Sequence, residues 1–244
     1  MKYFATISYQ GTNYHGWQIQ PNAISVQATI EQKLSTLLRE ETKITGCGRT
    51  DTGVHAKGYV FHFDSEIPFE NKLLFKINKM LPPDIVFHKV TEVAPTAHAR
   101  FDANYRAYRY YIGAKKNPFQ IDTVYYFPSF QKLDRDKMQA AAKLLLEYKA
   151  FTPFCKVNSD AKTMNCELHQ SEWQFGSEEM VFHIAANRFL RGMVRLIVGM
   201  CLNVGLGKVS LETVKEAMEQ QTLLTKSLSA PPHGLFLMDI RYPS

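Results

Sequence analysis

Long apolar runs are missing from this sequence, and so are closely paired cysteines. No stretch approaches the roughly 20 apolar residues that a membrane-spanning helix needs, which excludes a transmembrane reading. The four cysteines, Cys47, Cys155, Cys166 and Cys201, are nowhere spaced as C-x-x-C. That excludes a zinc ribbon and a thioredoxin-type redox pair. They are expected to be free and to serve as small buried hydrophobes. The opening Met1-Lys2-Tyr3-Phe4 lacks the charged start and apolar core of a secretory signal. A cytoplasmic protein is expected, and disulfides are rare there. Nor is there a low-complexity linker. With 45% hydrophobic and 21% charged residues, the composition excludes the disordered and fibrous classes. A chain of 244 residues can bury one large core or two smaller ones.

Charge is uneven. The formal net charge is +6, yet residues 1–104 carry 11 basic and 10 acidic side chains, while residues 105–244 carry 18 and 13. A basic second half suits an anionic partner, of which nucleic acid is the leading example. Solvated surface lysines give the same balance, so charge alone does not choose between these readings.

Patterning gives a mixed fold. Lys2 to Tyr9 alternates as a strand, and Gln10 to Asn13 reads as a turn. Ser25 is placed to cap a helix whose apolar positions are Val26, Ile30, Leu34, Leu37 and Leu38. Strands follow at Lys43 to Cys47 and Tyr59 to Phe63. A helix over Phe69 to Met80 stops before Pro82-Pro83, and Ile85 to Val93 is the next strand. The second half repeats this order loosely. It has strands at Tyr105 to Ile112, Glu167 to Phe175 and Met180 to Ala185, and a last strand at Leu235 to Tyr242. Its helices are one capped by Asp134 and running to about Tyr148, one over Phe189 to Val204, and one over Leu211 to Gln220. The fold class is therefore α+β, two similar halves with mainly antiparallel sheet. The division falls near Asn104, giving domains 1–104 and 105–244.

Three constellations stand out. In Gly48-Arg49-Thr50-Asp51-Thr52-Gly53-Val54-His55-Ala56, two glycines bracket an arginine and an aspartate between predicted strands. One reading is a turn in which Asp51 caps backbone N–H groups; another is a catalytic carboxylate. The largely apolar stretch Asn187 to Gly199 reads as a buried helix, with Arg188, Arg191 and Arg195 spaced on one face. A buried arginine needs an anionic partner. Asp51 is the natural candidate, although snorkelling to solvent or a structural ion pair would serve as well. In Tyr105 to Tyr111, Arg106, Tyr108 and Tyr110 share a strand face. Such a face is either a tyrosine-lined core or a platform on which a base stacks beside a cation.

Together these segments resemble the TruA family of tRNA pseudouridine synthases. Gly48 to Ala56 is similar to G-R-T-D-A-G-V-H-A, and Tyr9 to Gln18 to Y-D-G-x-x-(F/Y)-x-G-W-Q. Leu81-Pro82-Pro83-Asp84-Ile85, His98-Ala99-Arg100-Phe101, Arg106 to Tyr110 (R-x-Y-x-Y) and Ala230 to Leu235 also match family segments, in chain order. The resemblance implies the pseudouridine synthase fold, with its halves joined around a central cleft. It implies isomerisation of uridine to pseudouridine at tRNA positions 38, 39 and 40, no cofactor, no metal, and a homodimer that grips tRNA. It places the catalytic carboxylate at Asp51 and substrate-binding roles at Tyr108, Arg195, Arg49 and Leu235. Leu235 reads equally as a plain core leucine. Thr52 and Gln10 depart from the family pattern, where alanine and aspartate are usual, and neither removes a catalytic group.

Two other classes compete. An RNA-binding module would have the fold without the chemistry, and the Asp51, Tyr108 and Arg195 set argues against it. A metal-dependent hydrolase would use His55 and His62, whose spacing is not that of a familiar ligand pair.

Overall fold

The computed structural model describes residues 1–156, 161–224, 226 and 228–243. The chain forms two compact units, Met1–Asn104 with Phe236–Ser244, and Tyr105–Leu235. Both are α+β with mainly antiparallel strand pairing, the expected fold class. Residues from Phe236 onward pack with the first unit, where the sequence division groups them with the second.

In the first unit, β1 (Lys2–Tyr9) buries every second residue, Tyr3, Ala5, Ile7 and Tyr9, as a half-buried strand must. It lies between β3 (His55–Asp64) and β4 (Ile85–Val93), antiparallel to both. The other edge of β3 is shared. β2 (Ile44–Gly46) pairs with its residues 61–63, and β9 (Leu235–Arg241) pairs in parallel with His55 and Ala56. That parallel pairing recruits the end of the chain to the first unit, a contact between distant residues that no local pattern encodes. Helix α1 (Val26–Leu38) starts where Ser25 Oγ accepts the Ala28 N–H, 3.2 Å away. It buries Val26, Ile30, Leu34 and Leu38. Helix α2 (Asn71–Met80) ends just ahead of Pro82.

In the second unit, β5 (Tyr105–Gly113), β8 (Glu179–Ala186) and β7 (Leu168–Phe175) are antiparallel neighbours in that order. The two-residue β6 (Tyr125–Tyr126) runs parallel to β5 and was too short to read from sequence. Helix α3 (Arg135–Leu144) is capped by Asp134 and lies along β7. Its Gln139 Oε1 accepts the Trp173 N–H at 2.8 Å, and its Ala142 carbonyl accepts from Ser171 Oγ at 2.7 Å. A strand N–H is thereby satisfied by a helix side chain. Helix α4 (Met193–Gly205) is buried on almost every side and α5 (Leu211–Gln220) follows.

The start of α4 corrects the sequence reading. The helix opens at Met193, behind Gly192 at φ +72°. Arg188 and Arg191 therefore lie in the preceding loop, and the proposed three-arginine helical face reduces to Arg195. A left-handed residue cannot continue a right-handed helix.

All four cysteines are free and buried. Burial pushes the Cys166 thiol up to about 11 and the Cys201 thiol up to about 12, so neither forms thiolate readily. No helix among the described residues is long and apolar enough to cross a membrane.

Tyr110 on β5 is fully buried, and its hydroxyl donates to the Pro231 carbonyl at 2.7 Å. Burial raises its phenol pKa well above the ordinary value of about 10; Tyr125 adds to the rise and Arg195 opposes it. Folding thus favours the protonated phenol. That contribution is complete below about pH 10 and is lost as pH rises toward the folded-state value. We expect Tyr110→Phe to cost about 1 kcal/mol at neutral pH through the lost hydrogen bond. Above about pH 10 its unfolding free energy should fall less steeply than the wild type's in urea titrations. Equal slopes would show that Tyr110 does not report on alkaline stability.

Candidate active site

Asp51 and Arg49 belong to the first unit, and Tyr108, Arg195 and Leu235 to the second. In the first unit the acid loop runs between β2 and β3. Cys47 N–H donates to the Val60 carbonyl at 2.8 Å, and the Tyr59 hydroxyl donates to the Gly48 carbonyl. The turn closes where Val54 N–H donates to the Asp51 carbonyl at 3.1 Å, with Gly53 at φ +76°. Arg49 is exposed, Thr50 buried and Asp51 half-buried. Burying Thr50 between two charged residues anchors the turn and leaves its neighbours nearer solvent.

The anchor is the segment Tyr9 to Trp17. Tyr9 Oη and Thr50 Oγ1 are 2.8 Å apart, Trp17 N–H donates to the Thr50 carbonyl at 3.2 Å, and Gly53 N–H reaches the Tyr14 carbonyl at 3.4 Å. Two glycines permit this approach. A Cβ on Gly16, which has φ +85°, would stand 2.5 Å from the Thr50 carbonyl oxygen, and one on Gly11 would stand 2.0 Å from that of Val54. Both distances are too short for any side chain. Tyr14 is tied in turn to Asp84, its hydroxyl donating to Oδ1 at 2.7 Å. Burial, with that carboxylate beside it, raises the Tyr14 phenol pKa. The sequence motifs around residues 9–18, 48–56 and 81–85 are thus parts of one packed arrangement.

In the second unit, the Ala230–Pro231 backbone is a junction. Arg195 Nε donates to the Ala230 carbonyl at 2.7 Å, Ala230 N–H returns a bond to the Arg195 carbonyl at 3.0 Å, and Tyr110 holds Pro231. Arg195 is half-buried in the first turns of α4. Its guanidinium plane is set by a carbonyl, which aims its remaining donors. Leu235, 5% exposed, is buried at the start of β9. A Cβ at Gly234 would lie 2.8 Å from the Tyr110 ring, so the turn before Leu235 packs against the same tyrosine.

The three residues read as one face of β5 differ in role. Tyr110 is core. Arg106 directs Nη1 to the Asn187 carbonyl at 2.6 Å. Tyr108 is half-buried, with its ring 5.2 Å from and perpendicular to that of Phe189. Phe189 carries no titratable group and its spacing reads as a helix position, so nothing local in the sequence marks its place beside Tyr108. His55 and His62 are both engaged through Nδ1, which accepts the N–H of Gly11 at 3.0 Å and of Ala99 at 3.1 Å respectively. Among the described residues no group of three or more His, Cys, Asp or Glu is arranged to hold a metal ion.

A family model described as tRNA pseudouridine synthase matches residues 141–243. Relatives match over the whole chain. The tRNA pseudouridine synthase A of Bacteroides thetaiotaomicron is 46% identical over 246 residues, covering 99% of this chain and 91% of its own length. That of Parabacteroides distasonis is 43% identical over 244 residues, covering 99% and 96%. That of Bacillus pumilus is 37% identical over 248 residues, covering 99% of each. With identity of this order over 99% of its length, the chain belongs to the tRNA pseudouridine synthase A family.

Proposed function

We propose that this protein isomerises uridine to pseudouridine at tRNA positions 38, 39 and 40, with Asp51 as the catalytic carboxylate. Family membership supports the reaction class. The observation that carries the assignment of Asp51 is its placement: a half-buried acid on a turn pinned through buried Thr50. A pinned turn keeps a carboxylate in one position, which a reaction at a sugar carbon requires.

The reaction breaks the C1′–N1 bond, turns the uracil, and forms a C1′–C5 bond. The C5 proton is lost and a ring nitrogen gains one, so substrate and product have the same atoms and no cofactor is called for. The carboxylate acts at the sugar, by attack on C1′ or by removal of the C2′ proton. Arg195 is assigned to substrate binding as a fixed positive charge. Tyr108 stacks on the uracil and relays a proton, and Leu235 gives the base an apolar neighbour. A uridine in a stem is unreachable until it leaves the stack. Arg49, exposed two residues before Asp51, holds the displaced nucleotide by its phosphate. The same reading makes the protein a cytoplasmic homodimer, with the basic residues of 105–244 contacting the tRNA backbone.

Three outcomes follow. Asp51→Ala should lower tritium release from C5-labelled uridine in tRNA by at least about 10³-fold, and mapping of the treated tRNA should find no pseudouridine. Product equal to wild type would remove Asp51 from the chemistry; no release by wild type would favour an RNA-binding module. Arg49→Ala should reduce kcat/KM on full-length tRNA by about 10- to 100-fold, and unchanged activity would end its assigned role. Filter binding should show tRNA affinity falling about 10³-fold between about 50 and 200 mM salt if some six phosphates are contacted. A flat response would count against an RNA substrate.

A further inference from the structure

Tyr108 has a ring whose plane matters, because stacking on a base and passing a proton both depend on it. The second torsion of a tyrosine has broad wells, so a half-buried ring needs neighbours to define its plane. Phe189 is such a neighbour, at 5.2 Å between centroids and an interplanar angle of 90°. Edge-to-face pairs of this kind contribute beyond simple burial.

Phe189 is itself held on both sides. Ahead of it, the Asn187 carbonyl accepts from Arg106 Nη1 at 2.6 Å. The Asn187 N–H donates to the Glu167 carbonyl at 3.1 Å, and Asn187 Oδ1 accepts the Glu167 N–H at 3.0 Å. Behind it, Leu190 is buried, Met193 N–H closes a turn on the Leu190 carbonyl at 3.1 Å, and Gly192 at φ +72° starts α4. Arg106 and Tyr108 leave β5 on the same face. One strand face therefore carries both the ring and the guanidinium that fixes the ring's neighbour.

We propose that Phe189 is a positioning residue for Tyr108, fixing the plane of the phenol, and that Arg106 anchors Phe189 through the Asn187 carbonyl. The proposal rests on the reading of Tyr108 as the residue that meets the uracil. Phe189 acts through Tyr108, so its loss changes the rate at the base and leaves tRNA binding, which phosphate contacts dominate, nearly untouched.

The test is single-turnover tritium release by the full-length protein on full-length tRNA, with binding measured in parallel. Phe189→Leu should slow turnover about tenfold with Kd for tRNA within about twofold, and Phe189→Tyr should restore most of the rate by restoring a ring. In a Tyr108→Phe background, where the ring but not the hydroxyl remains, the Leu substitution should still slow the residual turnover; in a Tyr108→Ala background it should slow it less than about twofold. An equal loss in wild-type and Tyr108→Ala backgrounds would overturn the proposal, as would weakened binding at an unchanged rate. If Phe189→Leu melts below the assay temperature, Phe189→Met is judged by the same criteria. No tritium release by the wild type would refute the assigned activity itself, a result distinct from either outcome for Phe189.

Discussion

Close backbone approach between residues 11–17 and 50–54 is the constraint on which the first unit's part of the site depends. Side chains alone do not hold the acid turn. The Thr50 carbonyl is reached by the Trp17 N–H, and two positions on the facing segment have no room for a Cβ. Hydrogen bonds between main-chain groups resist displacement because breaking one in a buried setting leaves two groups unsatisfied. The bed is itself stiffened by the stacked rings of Trp17 and Tyr59, 4.0 Å apart, with Tyr9 packed beside Tyr59. The turn is thus rigid beneath and more open above, where Arg49 is exposed and Asp51 half-buried.

The second unit uses a related device with other groups. There, one loop carbonyl orients Arg195, the next anchors Tyr110, and the two bonds fall on adjacent residues. A movement of the Ala230–Pro231 backbone would disturb both α4 and β5. Arg195 is thus tied to the most buried tyrosine of the strand that carries Tyr108.

Much of this was legible in the sequence where local rules govern. Ser25 caps α1 because its hydroxyl satisfies an N–H that a helix start leaves open, and the motif shows it. Alternation in β1 survives because one face is core. Asp51 drew notice because an arginine and an aspartate between two glycines are unusual in a short turn. The reading failed where a single residue outweighs periodicity: Phe189-Leu190 prolongs the apolar pattern of α4, yet Gly192 ends it and leaves Arg188 and Arg191 in a loop. It was blind where the partner is distant. Nothing near Gly11 or Gly16 announces that Val54 and Thr50 lie against them, and nothing near Phe236 announces β3.

The shared edge of β3 bears on how the protein comes into being. His55 stacks on Phe236 at 4.5 Å, and a Cβ on Gly58 would lie 2.5 Å from the Met238 carbonyl oxygen. The strand that delivers these contacts leaves the ribosome only after the whole second unit has been made. Nascent domains ordinarily fold in order of synthesis. Here the unit that carries the acid must wait with an open sheet edge, a template for unwanted pairing, until β9 has been made.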